Sequence, residues 1–213
     1  MGRGKPLGRR KPKRPEQRRV LIYCEGRNTE ADYLKGLRAE LSGTIRIAVG
    51  SAHGTPLKLV RDALKHRDRA PNERDDQFTA YEDVWCVMDV EAPKPHGDLS
   101  QALKLADAEG IKVVLSNPCF ELWILLHFSF HAGWMTSDQA QRTLEKHGGT
   151  GYDGQRKKVD YLALRSGIEQ AMKNAARLRA HHGGSAKPHQ TNPWTDVDRL
   201  VHDLRRQRDE ARS

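Results

Sequence analysis

The 213 residues suffice for one domain of ordinary size, or one domain with a helical appendage, and 37% hydrophobic content can bury a core while 31% charged residues keep much of the surface wet. No apolar run reaches the roughly 18 residues that cross a bilayer, and the basic start lacks the apolar stretch of a secretory signal, so a cytoplasmic protein with no membrane association is expected. The net charge of +9 is concentrated at one end: Met1–Arg19 holds nine basic residues against Glu16 alone, a net +8 that leaves the body nearly neutral.

That first segment, rich in Gly, Pro, Arg and Lys and without apolar periodicity, is predicted to be a disordered basic tail over residues 1–19. Its field would attract phosphate backbones with strong salt dependence, through Arg9, Arg10, Lys11, Lys13 and Arg14 in particular. A solubilising leader or an assembly arm is the alternative. Cys24, Cys86 and Cys119 lack C-x-x-C spacing and lie in apolar surroundings, which points to free thiols in a reducing compartment.

Past the tail, Val20–Cys24 is a fully apolar run of strand length that ends at Glu25-Gly26. Tyr33, Leu34, Leu37 and Leu41 then recur at helical spacing, with Thr29 placed to cap that helix. Thr44–Val49 reads as a second strand. Pro56 suits the first position of a helix carrying Leu57, Val60 and Leu64, and Arg67–Glu82 is a polar excursion. Val84–Met88, β-branched and aromatic, is the central strand. A loop containing Pro93, Pro95 and Gly97 follows, then a helix over Leu99–Glu109 closed by Gly110, then a strand at Ile111–Leu115. This alternation predicts a parallel sheet with right-handed crossovers.

Pro118 opens a helix that is apolar nearly all round through Phe128, the mark of a buried helix. Helices are predicted over Ser137–His147 after a serine cap, Gln155–Ala180 and Pro193–Arg212. The predicted organisation is therefore the tail, an α/β core over 20–135 and a helical extension over 136–213 packed on the core.

The chemistry-bearing residues lie at strand ends. Asp89 and Glu91 follow the central strand; residues i and i+2 of a strand share a face, so both can aim at one point beyond its carboxyl end, where open α/β sheets bind ligands. Carboxylates held that close repel unless a cation or proton sits between them, and Mg²⁺ takes such oxygens readily. The alternative is that Asp89 caps a turn and Glu91 is solvated. Glu25 stands at the end of the first strand, Gly26 permits a sharp turn, and Glu30 opens the next helix, so a second pair of carboxylates can reach the same place. Glu121, in the first turn of the apolar helix, reads either as a favourable partner of the helix dipole or as a further acid at the sheet edge. Lys157 and Lys158 could touch phosphate or form a solvated face. His127 and His131 have an i, i+4 spacing but no third ligand in register, which argues against zinc.

Three blocks together resemble the RloB-like family: Cys24-Glu25-Gly26-Arg27-Asn28-Thr29-Glu30-Ala31-Asp32-Tyr33; Asp89-Val90-Glu91; and Ser116-Asn117-Pro118-Cys119-Phe120-Glu121-Leu122-Trp123 with His127-Phe128. Asn192-Pro193 with Thr195 and Val197 extends the likeness, which covers roughly Val20 to the end. The family looks like a divergent Toprim domain, which implies a Rossmann-like core with a parallel central sheet flanked by helices. The Toprim pattern has a Glu after the first strand and a D-x-D after a later one; Glu25 and Asp89 match, and Glu91 replaces the second Asp. Glu30 resembles the second acid of the nuclease branch.

The resemblance implies Glu25, Glu30, Asp89 and Glu91 as catalytic acids, with Asp89 and Glu91 holding Mg²⁺ or Mn²⁺ and Glu25 either a further metal ligand or the general base. Gly26, Asn117, Glu121, Lys157 and Lys158 would position substrate or support the ligands. It further implies a nuclease, hydrolysing DNA or RNA, that serves in anti-phage defence beside a separate ATPase protein. The chain itself has no Walker A lysine motif. A non-catalytic nucleic-acid or partner-binding module is the competing expectation, and homo-oligomerisation is left open.

Overall fold

The computed structural model describes residues 17–26, 28–51, 54–69, 80–150, 152–183 and 186–212. Arg9, Arg10, Lys11, Lys13 and Arg14 of the basic tail, and most of the polar stretch before the central strand, lie outside the described residues.

The described residues form a five-stranded sheet from β1 (Arg19–Cys24), β2 (Arg46–Ser51), β3 (Asp83–Asp89), β4 (Lys112–Asn117) and β5 (Trp194–Thr195), in the order β2-β1-β3-β4-β5. The first four are parallel; β5 runs antiparallel to β4. Parallel strands covered on both faces must be apolar along their whole length, which is why Val20–Cys24 and Val84–Met88 read as unbroken apolar runs. Successive side chains divide between the two faces. Val20, Ile22, Cys24, Trp85 and Val87 join one core with residues of α1 (Thr29–Glu40), α4 (Glu121–Leu125), α7 (Ile168–His182) and α8 (Val197–Glu210). Leu21, Val84, Cys86 and Met88 join the other with residues of α2 (Pro56–Arg69) and α3 (Leu99–Ala108). The mixed α/β architecture with a helical carboxyl-terminal part is as expected.

The chain leaves β1 toward β2 on one side, then returns to place β3 on the other. Between β1 and β3 the connections therefore diverge to opposite sides, opening a crevice beyond the carboxyl ends of these strands.

Several local expectations are corrected. Asn28, not Thr29, is the N-cap of α1, and Thr136, not Ser137, caps α5 (Ser137–Lys146), where its hydroxyl and the Gln139 side chain form a reciprocal capping box. The apolar segment after Pro118 is helical only over α4; a turn at Leu126–Phe128 ends it because the buried Asn174 amide donates to the Leu126 carbonyl at 2.7 Å. The long helix expected from Gln155 is broken into a turn, α6 (Tyr161–Leu164), a 3₁₀ turn at Arg165–Gly167, and α7. Asp160 caps α6 through the Leu162 amide at 2.9 Å. The last helix begins at Val197 rather than Pro193, since Trp194-Thr195 pair with Ser116-Asn117 as β5.

Asn174 thus holds α7 against the end of α4, and its Oδ1 accepts from Gln170 at 3.1 Å. Asn174→Ala leaves a buried carbonyl unpaired and is expected to lower unfolding free energy by about 1–3 kcal/mol in chemical denaturation.

Candidate functional site

The ends of β1, β3 and β4 bring five carboxylates to the switch-point crevice. Glu25, Gly26, Asn28, Thr29, Glu30, Asp89, Glu91, Glu121, Gln141 and Lys157 line one cleft of about 150 Å³. Every acid singled out from the sequence is in it.

Each side chain is held differently. Asp89 is the last residue of β3 and is buried, with Oδ1 making no hydrogen bond. Burial pushes its pKa well above the ordinary carboxylate range, and Glu30, Glu121, Glu25 and Glu91 push it the same way. Glu91 is no longer in the strand: its φ of 66° is left-handed, rare for a residue with a side chain. Its backbone N–H is fixed to the Pro118 carbonyl at 2.9 Å, and its Oε2 accepts from the Ser137 hydroxyl at 2.9 Å. The convergence of Asp89 and Glu91 therefore comes from this left-handed residue and not from the pleat that the i, i+2 argument invoked.

Glu25 lies 3.1 Å from His96 Nε2 through Oε1, while its Oε2 is buried without a hydrogen-bond partner. Burial raises its pKa, which His96 and the Asp89 backbone N–H partly offset. The Glu30 carboxyl folds back over Gly26, where an added Cβ would come within 1.9 Å of Glu30 Oε2, so only glycine lets the two approach. Burial pushes the Glu30 pKa up to about 7, opposed by its own backbone N–H and reinforced by Glu121 and Glu25. Glu121 Oε1 accepts from the Tyr152 hydroxyl at 3.1 Å and lies 3.1 Å from the Thr29 hydroxyl, which also approaches the Lys157 carbonyl at 2.9 Å. Asn28 donates to the Arg156 carbonyl at 2.8 Å. These contacts seat the turn 153–158 on the start of α1 and put Lys157, exposed and with φ 48°, at the cleft.

Other sequence candidates stand apart. Asn117 is buried and accepts from the Asn192 amide at 3.1 Å, tying β4 to the segment before β5, outside the cleft lining. Lys158 is exposed and does not line the cleft. His127 is buried with Nδ1 2.9 Å from the Trp123 carbonyl, and burial lowers its pKa to about 4; His131 instead meets Ser129. Cys24, Cys86 and Cys119 are free and buried, and burial raises the Cys24 and Cys86 thiols to about 12. Gln141, His96, Ser137 and Tyr152 had no sequence signal, because they come from α5 and from two separate loops, none of which carries a strand-end pattern.

The donor chemistry fits a hard divalent cation: several carboxylates, two of them with a buried unpartnered oxygen, and no cation among the main influences on Asp89. The side chains do not close on an ion, however. Among the described residues no three His, Cys, Asp or Glu groups stand so as to hold a metal, since Glu25 faces His96, Glu91 faces Ser137 and Glu121 faces Thr29 and Tyr152.

A protein-family model described as RloB-like protein matches residues 20–204. The chain belongs to the RloB-like protein family. Neither the curated proteins nor the solved structures offered a match. The span of the RloB-like match takes in every cleft residue and leaves out the basic tail. Among the described residues no helix is long and apolar enough to cross a membrane.

A raised carboxyl pKa means the folded state prefers the proton, so the associated stability is present below the ordinary pKa near 4.5 and is lost as pH rises through about 7 for Glu30. Glu30→Gln removes that dependence. Its unfolding free energy relative to the parent, measured by chemical denaturation, is expected to rise between pH 5 and pH 8 by an increment on the order of 2 kcal/mol. A difference that is flat with pH would show that Glu30 does not titrate in this window.

Proposed function

We propose that this RloB-like protein is a Mg²⁺- or Mn²⁺-dependent nuclease that hydrolyses phosphodiester bonds in DNA or RNA. The observation that carries the reading is Asp89, buried at the β1/β3 switch point among four other carboxylates, with an oxygen that no protein group satisfies. Such clustered charge is stable only with a cation or with protons. The resemblance to Toprim nucleases supports the same residues, and it motivates the wider role as an anti-phage effector working beside a separate ATPase.

Asp89, Glu91 and Glu25 would hold the ion. When bound, it supplies Lewis acidity toward the phosphoryl group and neutralises developing charge. Lys157 orients a phosphate at the cleft mouth, where its ammonium offsets the acids. Glu30, with its pKa near neutrality, is suited to take or give a proton. Ser137 steers Glu91, and Thr29 and Tyr152 steer Glu121. The engaged positions of Glu25, Glu91 and Glu121 favour a second reading, a non-catalytic binding module in which these bonds are simply structural.

Asp89→Asn separates the two. It keeps the shape but removes a charge the cation needs, so Mn²⁺ is expected to raise the melting temperature of the parent and not of the variant. Cleavage of nucleic acid in Mg²⁺ should fall by at least 100-fold in Asp89→Asn and in Glu91→Gln. Glu109→Gln, at an exposed ion pair with Arg67, should retain full activity. Undiminished cleavage by Asp89→Asn would refute the site. Loss of Met1–Lys13 should weaken nucleic-acid binding and flatten its salt dependence while leaving the melting temperature unchanged.

A further inference from the structure

We infer that the substrate presented to the cleft is single-stranded, and that Trp134 is the platform on which one of its unpaired bases stacks. This rests on the nuclease reading above and names its substrate class. Among the described residues Trp134 is one of two large hydrophobic side chains left exposed, at 60% of its surface; the other, Leu162, lies on α6. An indole carries a large apolar face that a folded chain normally covers.

Trp134 sits beside the cleft by chain geometry. It precedes Ser137 by three residues, so the two Cα atoms are at most about 11 Å apart. Ser137 binds Glu91 through its hydroxyl, and its N–H donates to the Ala92 carbonyl at 3.3 Å; Gln141, one turn further along α5, lines the cleft itself. The segment bearing the indole is also pinned. The Met135 N–H donates to Asn192 Oδ1 at 3.0 Å, and the Asn192 amide donates back to the Met135 carbonyl at 2.8 Å. An exposed aromatic side chain is thus held on a braced segment, three residues before the Ser137 that binds Glu91. Lys157, also on the cleft, offers the charge that a phosphate backbone requires. In a duplex both faces of a base are taken by its neighbours, so only an unpaired or displaced base can lie on the indole.

The other three tryptophans, Trp85, Trp123 and Trp194, are buried, so a change in solvent-accessible indole emission reports Trp134. The test uses the full chain in EDTA, which prevents cleavage. Four 12-mers are titrated: oligothymidylate, oligouridylate, an abasic strand with the same phosphates, and a DNA duplex. The first two are expected to quench the emission and the last two to leave it unchanged; the stronger of the first two tells DNA from RNA. Trp134→Ala should weaken binding of the preferred strand about tenfold, and Trp134→Phe should restore most of it. The basic tail contains no aromatic residue in Met1–Glu16, so its contribution is equal for abasic and base-bearing strands. Equal binding of abasic and base-bearing strands, unaltered affinity in Trp134→Ala, quenching by the duplex, or no binding at all would overturn the inference. Emission that shifts with protein concentration and not with oligonucleotide would reassign Trp134 to protein contact. Quenching without cleavage at restored Mg²⁺ would remove the nuclease reading and keep the platform, whereas cleavage indifferent to Trp134 would do the reverse.

Discussion

Repulsion among five clustered carboxylates, of which Glu30, Asp89 and Glu121 are buried, is the constraint around which the rest is arranged. Five acids share one crevice, and the main influences on buried Asp89 are burial and the four neighbouring carboxylates. Each of the others is restrained by a specific partner: His96 for Glu25, the Gly26 turn for Glu30, Ser137 for Glu91, Thr29 and Tyr152 for Glu121. Holding like charges together costs folding free energy, so a sheet edge that does so must be supported elsewhere. The support is the apolar core on both faces of β1 and β3, which fixes the two strand ends side by side whatever the acids prefer.

The scaffold and its edge divide the chemistry cleanly. The strands contribute position and the loops after them contribute function, as expected where a parallel sheet switches direction. Glu91 shows the division at a single residue. A left-handed backbone in a glutamate is unfavourable by about 1 kcal/mol or more, yet its N–H and side chain are both tied down by Pro118 and Ser137. A glycine there would relieve the backbone and remove the carboxylate.

Much of the core was legible because buried parallel strands leave an unambiguous trace. Val20–Cys24 and Val84–Met88 are apolar at every position, and the acids stand directly after them. What failed to show is what depends on tertiary partners. The two-residue β5 exists through the Ser116–Thr195 hydroxyl contact at 3.1 Å and the Asn117–Asn192 bond, neither of which has a local pattern. The interruption before α7 accompanies contacts across the fold, of Tyr161 with Glu40 and of the Arg156 carbonyl with Asn28, so helical periodicity alone ran the two segments together. In the cleft, the acids were visible from strand-end position, while Gln141, His96, Ser137 and Tyr152 were not, since a lone polar residue on a distant element carries no spacing signal.

The turn at 153–158 has a consequence for the order in which the protein is made. The Asn28 amide donates to the Arg156 carbonyl and the Thr29 hydroxyl meets the Lys157 carbonyl, each 128 residues further along the chain, and Glu121 waits for Tyr152. Chains emerge from the ribosome amino end first. The strands that carry Glu25 and Asp89 are therefore complete well before the segment that roofs the crevice leaves the exit tunnel. During that interval the acids stand in open water, where their mutual repulsion is screened. Docking of the turn then engages Thr29 and, through Tyr152, Glu121, so the cluster reaches its final arrangement only after these later residues are made.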